Sequence, residues 1–163
     1  MNTLIAYFSY TGHTKGIAKQ LQELTGGTLF EIKPAVPYSE DYDTTERQGR
    51  KETRDGYRPP LAEMPAKLAS DLASYDTILL GTPNWFNTVA PPVASFLADS
   101  DMSVKRIALF CTNGGGGLGH TLADIRAICK DSEILYGINI YEDGGSEAKE
   151  KLSGWLKQIG LSK

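Results

Sequence analysis

Leu4-Ile5-Ala6-Tyr7-Phe8-Ser9-Tyr10-Thr11-Gly12-His13-Thr14 is the stretch on which the reading of this chain turns. Its first five residues are all apolar, which indicates a strand covered on both faces and therefore a parallel sheet. Small polar residues and a glycine follow, and residues 15–24 then carry Ile17, Leu21 and Leu24 at helical spacing. A strand that opens into a helix through such a loop brings free backbone N–H groups and the positive end of a helix dipole to one point. Ser9, Thr11 and Thr14 add hydroxyl donors, and Gly12 permits a close approach or a positive φ. An ordinary helix start needs one capping residue. The surplus here indicates an anion loop suited to a phosphate. It is not a P-loop, because no Gly-x-x-x-x-Gly-Lys-Ser/Thr occurs.

Outward from this loop, Gly26-Gly27 ends the helix and residues 28–33 give a second strand, completing a β-α-β opening. Residues 34–75 are less regular, and Pro34, Pro37, Pro59, Pro60 and Pro65 restrict where helices run. Residues 41–55 are highly charged and read as an exposed helix. Arg47, Arg50 or Lys51, Arg54 and then Arg58 recur there at three- and four-residue steps, a basic stripe interleaved with Glu46, Glu52 and Asp55. A solvated face is the ordinary reading of such a stripe; docking of a partner or of an NADPH phosphate is the functional one. Residues 66–74 read as a second helix returning the chain to the sheet.

Thr77-Ile78-Leu79-Leu80-Gly81 is another apolar strand, and it runs into Thr82-Pro83-Asn84-Trp85-Phe86-Asn87-Thr88. Adjacent aromatics in a Pro-led polar loop suit a stacking platform for a planar ligand, with amides and hydroxyls for a heterocycle edge. Core capping by Trp85 and Phe86 is the plainer alternative. Pro91-Pro92 fits the start of the next helix. Ile107 to Cys111 forms a fourth buried strand, followed by Thr112-Asn113-Gly114-Gly115-Gly116-Gly117-Leu118-Gly119-His120. Gly114, Gly116 and Gly119 formally match Gly-x-Gly-x-x-Gly, but a dinucleotide fingerprint belongs to the first βαβ unit and needs an acidic residue about twenty positions on. A flexible loop whose N–H groups face a ligand is the better reading. Leu122, Ile125, Ala127 and Cys129 supply the helix after it, residues 134–141 a fifth strand, and Ser146 the cap of a last helix whose inner face holds Trp155 as a core residue.

Five strands alternating with helices make a three-layer α/β (α-β-α) domain over residues 1–163, built on a five-stranded parallel sheet. In such sheets ligands bind beyond the carboxyl ends of the strands at a switch in strand order. The three unusual loops follow the first, third and fourth strands, so they can share one crevice. A formal net charge of −3 gives no electrostatic reason to expect nucleic acid. No run of some eighteen apolar residues occurs, so no membrane insertion and a cytoplasmic location are expected. Cys111 and Cys129 lack metal-site or redox spacing and read as small buried apolar residues, and no metal site is expected.

The chain resembles the flavodoxin family over nearly its whole length. Ser9 to Thr14 is similar to that family's FMN phosphate loop, Ser/Thr-x-Thr-Gly-x-Thr, while the Thr82 and Thr112 stretches are similar to its second and third flavin loops. The resemblance implies strand order 2-1-3-4-5, the short-chain form, and FMN at the switch between strands one and three. It implies that Ser9, Tyr10, Thr11, Gly12, His13 and Thr14 form the phosphate loop and that Pro83, Asn84, Trp85, Phe86, Asn87 and Thr88 border the isoalloxazine. Thr112, Asn113, Gly114, Gly115, Gly116, Gly117, Leu118 and Gly119 would lie on its pyrimidine side. The implied function is electron transfer from a reductase or NAD(P)H to a redox partner protein or a small quinone-like acceptor; the alternative is a binding or scaffold module of the same fold without stable FMN. His13 and His120 lie near the crevice, where an ordinary hydrogen-bonding or surface role suffices. The chain departs from the acidic electron carriers of the family, since none of its 20 carboxylates lies in residues 4–22, 77–98 or 102–123. That absence leads us to expect a less strongly lowered flavin potential.

Overall fold

The computed structural model describes residues 2–161. Thr3–Tyr7 forms β1, which lies between two parallel neighbours, β2 (Thr28–Glu31) and β3 (Thr77–Trp85). β5 (Arg106–Asn113) pairs parallel with β3 on its far side. The expected fifth strand is split into β6 (Glu133–Ile134) and β7 (Ile138–Tyr141), both parallel to β5. The register moves by one residue between the two pieces, because Ile107 faces Ile134 while Phe110 faces Ile138. The extra residue makes a bulge, and Trp155 Nε1 donates to the Tyr136 carbonyl within it at 2.8 Å. Trp155 is thus both a core residue, as expected, and the partner of a carbonyl that the sheet ladder leaves free.

With β6 and β7 counted as one, the order of the parallel strands is the expected 2-1-3-4-5, and the complete sheet has seven strands. The additional strand is β4 (Thr88–Val89), which turns back antiparallel on the end of β3. Residues 82–85, expected in a loop, therefore belong to a strand. The sequence hid this because Pro83 looks like a strand terminator, whereas here it sits at the last rung shared with β5.

Alternation along the strands separates two cores. Leu4, Ala6, Phe8, Ile78, Leu80, Ile107 and Leu109 face one side, where α3 (Ala66–Asp71), α4 (Pro91–Asp99) and α5 (Thr121–Ile128) contribute Leu68, Phe96 and Ile125. Ile5, Tyr7, Leu79, Ala108 and Phe110 face the other, packed on Ile17 and Leu21 of α1 (His13–Thr25) and on Leu152 and Trp155 of α6 (Ala148–Gln158). Both faces of the central strands are buried, as their unbroken apolar runs require.

Two local expectations are corrected. Ser146 does not cap α6: it lies in a short 3-10 turn, Gly145–Glu147, and no side-chain cap is made. Cys129, expected in the helix after the third loop with Leu122, Ile125 and Ala127, stands just beyond its end, because α5 closes at Ile128. The charged helix is present as α2 (Tyr42–Asp55), its first turn capped by the Asp41 carboxylate, which accepts from Thr44 N at 3.0 Å. The proline-rich segments before and after it are pinned to each other beside the end of β2 by Ala35 N to Pro60 O at 2.8 Å and Ala62 N to Lys33 O at 2.9 Å.

Candidate functional site

The loops after β1, β3 and β5 emerge at the carboxyl edge of the sheet and are fastened to one another. In the first, Gly12 adopts φ +100° and precedes α1, while Ser9 Oγ accepts from Gly12 N and Lys15 N, each at 3.2 Å. Ser9 therefore holds the loop open around the helix start. The N–H groups of Thr11, His13 and Thr14 have no hydrogen-bond partner among the described residues. These donors, at the positive end of α1, form a cradle with the chemistry of an anion site.

Thr14 behaves differently from the expectation of a ligand hydroxyl. It is buried, and its Oγ1 lies 2.7 Å from Thr112 Oγ1 at the end of β5. Thr112 is buried as well, so the two threonines tie the first loop to the third. Asn113 holds the base of the third loop by donating to Ile140 O at 3.2 Å and accepting from Gly115 N at 3.0 Å.

The second and third loops are joined as closely. Asn84 Nδ2 donates to Gly117 O at 2.9 Å, Asn84 Oδ1 accepts from Asn87 N at 2.9 Å, and His120 N donates to Asn87 O at 2.6 Å. Gly119 has φ +54°, and a Cβ there would stand 2.8 Å from Asn87 Cα, so only glycine lets the backbones meet. Between β3 and β4 the turn residues Phe86 and Asn87 have φ of +57° and +69°. Asn is ordinary in that region but Phe is not. This two-residue turn places the Phe86 ring outward, 39% exposed, with the Arg50 guanidinium 4.7 Å above its centre.

Trp85 takes the opposite place, packed inward against Phe8, Tyr38 and Tyr10 at ring-centre distances of 5.6, 5.1 and 6.1 Å. The two alternatives for this aromatic pair thus divide between its members: Trp85 is half-buried against the core and Phe86 is the open face. Tyr10 is turned from the anion cradle toward Ser39, whose carbonyl accepts its hydroxyl at 2.7 Å. A cleft of about 830 Å³ lies on that side of the first loop, between Ser9, Thr11, Tyr38 and Tyr42. Tyr10 and Tyr42 also line a second pocket, of about 200 Å³, with Glu46, Asn84, Trp85 and Phe86.

Carboxylates reach the site from elements distant in sequence. Glu46 on α2 lines the small pocket and pairs with Arg50 at 3.2 Å, Asp124 on α5 accepts the Thr88 hydroxyl, and Glu31 lies 3.8 Å from Lys15 Nζ. The loops themselves lack carboxylates, but their surroundings do not. Of the basic stripe, Arg50 is brought to the site through Phe86, whereas Arg54 pairs with its neighbour Asp55 at the surface. His13 is half-buried at the start of α1, and His120 is exposed and fastened through its backbone.

The family model described as flavodoxin matches residues 2–159. The chain belongs to the flavodoxin family. Among curated proteins it is similar to an NAD(P)H dehydrogenase (quinone) from Geobacter sulfurreducens, with 30% identity over 101 residues, 60% of this chain and 47% of that protein. The chain spans about half the length of the curated relatives it matches. Among solved structures it is similar to a candidate flavoprotein from Bacteroides uniformis, at 29% identity and TM-score 0.82, covering 96% of this chain and 97% of that one. A Lactobacillus acidophilus flavoprotein solved in complex with FMN has 23% identity and TM-score 0.72, covering 91% and 97%. The second likeness is one of fold. The flavodoxin topology puts the switch in strand order between β1 and β3, where the first two loops meet. No helix of the described residues is long and apolar enough to cross a membrane.

Proposed function

We propose that this flavodoxin-family chain binds FMN and passes electrons to a small quinone-like acceptor or to a redox partner protein, with NAD(P)H as the donor in the first case. The observation that carries the reading is the fastening of three loops at one switch point, with unpartnered N–H groups of Thr11, His13 and Thr14 at the start of α1. When bound, FMN supplies the one- and two-electron chemistry, so the protein's task is position, solvent exclusion and electrostatics. Gly12 and the three free N–H groups hold the phosphate, with Lys15 as the nearest cation on the same helix turn. Phe86, the exposed face of the second loop, would border the ring, and the third loop, which Asn84 fastens through the Gly117 carbonyl, would lie along its pyrimidine edge beside the second loop rather than across from it.

The FMN complex of the Lactobacillus relative supports the cofactor, and the names of the curated relatives support a quinone acceptor. The flavin potential is expected to lie above that of the acidic carriers, because the loops contribute no carboxylate and Glu46 is offset by Arg50, although Asp124 keeps its charge while accepting the Thr88 hydroxyl. Anaerobic mixing of the FMN-loaded protein with NADH or NADPH, followed by a one-ring quinone, tests the enzyme arm. Bleaching of the flavin band by a nucleotide and its return with quinone is the expected result. Failure of both nucleotides, with fast reoxidation of chemically reduced protein, would leave only the carrier arm. Absence of both reactions would overturn the reading.

A further inference from the structure

α2 is an unusual helix to find docked on a core. Its buried residues are Thr45, Gly49 and Glu52, one stripe at helical spacing that contains no apolar side chain. Burial of hydrocarbon therefore does not explain why the helix lies where it does. All three residues are instead turned on the aromatic group formed by Tyr10, Tyr38 and Trp85. Thr45 Oγ1 donates to Ser39 O at 2.7 Å, the same carbonyl that accepts the Tyr10 hydroxyl. Gly49 presents bare backbone to the Trp85 ring, and a Cβ there would lie 3.0 Å from Trp85 Cε3. Glu52, 8% exposed, accepts the Tyr38 hydroxyl at 2.6 Å on one oxygen and Gln48 Nε2 at 2.8 Å on the other.

Glu52 is the costly member of this stripe. Taking a carboxylate out of water is unfavourable by several kcal/mol unless partners replace the lost hydration, and among the described residues it makes no ion pair. Tyr38 gains what Glu52 loses: burial and then its bond to Glu52 push the phenol far above its usual range, so it stays a donor. Tyr38 in turn has the shortest ring-centre distance to Trp85 of the three aromatic neighbours.

We propose that α2 is a positioning element for Trp85, in which Glu52 fixes Tyr38, Tyr38 and Gly49 fix the indole, and the indole is thereby held in one orientation beneath the second loop. Trp85 is the strand residue that precedes the exposed Phe86, so its fixed plane also sets the wall of the small pocket. Tyr38 and Glu52 are positioning residues that act through Trp85. The consequence for flavin binding rests on the FMN reading above, whereas the orientation of the indole does not.

The protein labelled with 5-fluorotryptophan gives two ¹⁹F resonances, assigned through Trp85→Phe. In wild type both are expected to be sharp. Tyr38→Phe removes the hydroxyl and Glu52→Leu the acceptor, and each is expected to broaden or split the Trp85 resonance while leaving that of Trp155 unchanged. Glu52→Gln retains an acceptor for Tyr38 and restores a sharp line, which a purely structural role for the charge would not produce. Gln48→Ala, at an exposed position, serves if the buried variants do not fold and gives partial broadening. In titrations with FMN, Tyr38→Phe binds about tenfold more weakly, the equivalent of one lost hydrogen bond. A sharp, unshifted Trp85 line in Tyr38→Phe, Glu52→Leu and Gln48→Ala overturns the proposal. Broadened Trp85 in a protein that takes up no FMN would sustain the clamp and refute the flavin reading instead.

Discussion

Gly119→Ala puts the joining of the second and third loops to a direct test. At φ +54° any residue with a Cβ costs about 1–2 kcal/mol relative to glycine. The new methyl would also meet Asn87 Cα at 2.8 Å, its carbonyl oxygen at 2.9 Å and its carbonyl carbon at 3.1 Å, all backbone atoms that cannot rotate aside. The loops must then separate, which breaks His120 N to Asn87 O and strains Asn84 Nδ2 to Gly117 O. Each such bond contributes about 0.5–1.5 kcal/mol net. The least costly response loses about 2–4 kcal/mol in the arrangement that binds the ring, so FMN affinity falls at least about thirtyfold. Quenching of FMN fluorescence on titration reads the constant, and circular dichroism shows whether the fold is retained. Gly154→Ala, on α6 and away from the loops, is the control, since its Cβ meets nothing within 4 Å and its φ is ordinary. An affinity for Gly119→Ala within threefold of wild type, in a folded protein, would refute the claim that contact between these loops builds the site.

Thr14→Val leaves the buried Thr112 hydroxyl without its partner and is expected to lower stability by about 1–3 kcal/mol, while Thr14→Val with Thr112→Val costs less than the two single changes summed; urea denaturation of the four proteins measures the coupling. Burial pushes the Cys111 thiol up to about 12 and the Cys129 thiol up to about 11. The unfolded chain releases these protons from about pH 8.5, so stability falls as pH rises from there towards 11, by at most about 1.4 kcal/mol per pH unit per thiol. Urea midpoints at pH 8 and pH 10 in wild type and in Cys111→Ala with Cys129→Ala test this, and equal pH slopes would contradict it. Trp155→Phe leaves the bulge carbonyl of Tyr136 without its donor and is expected to cost about 1–2 kcal/mol, a thermal midpoint equal to that of wild type being the contrary result.

The strands and the three loops were legible because their signals are local. Residues 4–8, 78–80 and 107–111 are unbroken apolar runs, and each ends in hydroxyls, amides or glycines at the edge where such sheets bind ligands. The β3–β4 hairpin was not legible, because its turn uses Phe86 and Asn87 where Asn-Gly would announce it, and Pro83 suggests a break. The bulge between β6 and β7 leaves no mark either, since one extra residue in an apolar stretch has no signature until its partner strand is known. α2 was placed correctly along the chain but its inner face was missed. Thr45, Gly49 and Glu52 carry no hydrophobic pattern, so what they hold becomes visible only when Tyr38 arrives from the proline-rich segment. The charges around the crevice were legible only within the loops, because Glu46 and Asp124 reach it through tertiary contact from helices beyond them.

The central claim, that the three loops hold FMN, is tested most directly by the visible absorption spectrum of the purified protein, before and after addition of FMN and removal of the excess. A bound yellow chromophore near one equivalent per chain, released by heating and identified as FMN by its fluorescence and mass, is the expected result. A folded protein that stays colourless after incubation with excess FMN would contradict it and leave the flavodoxin fold here as a binding or scaffold module.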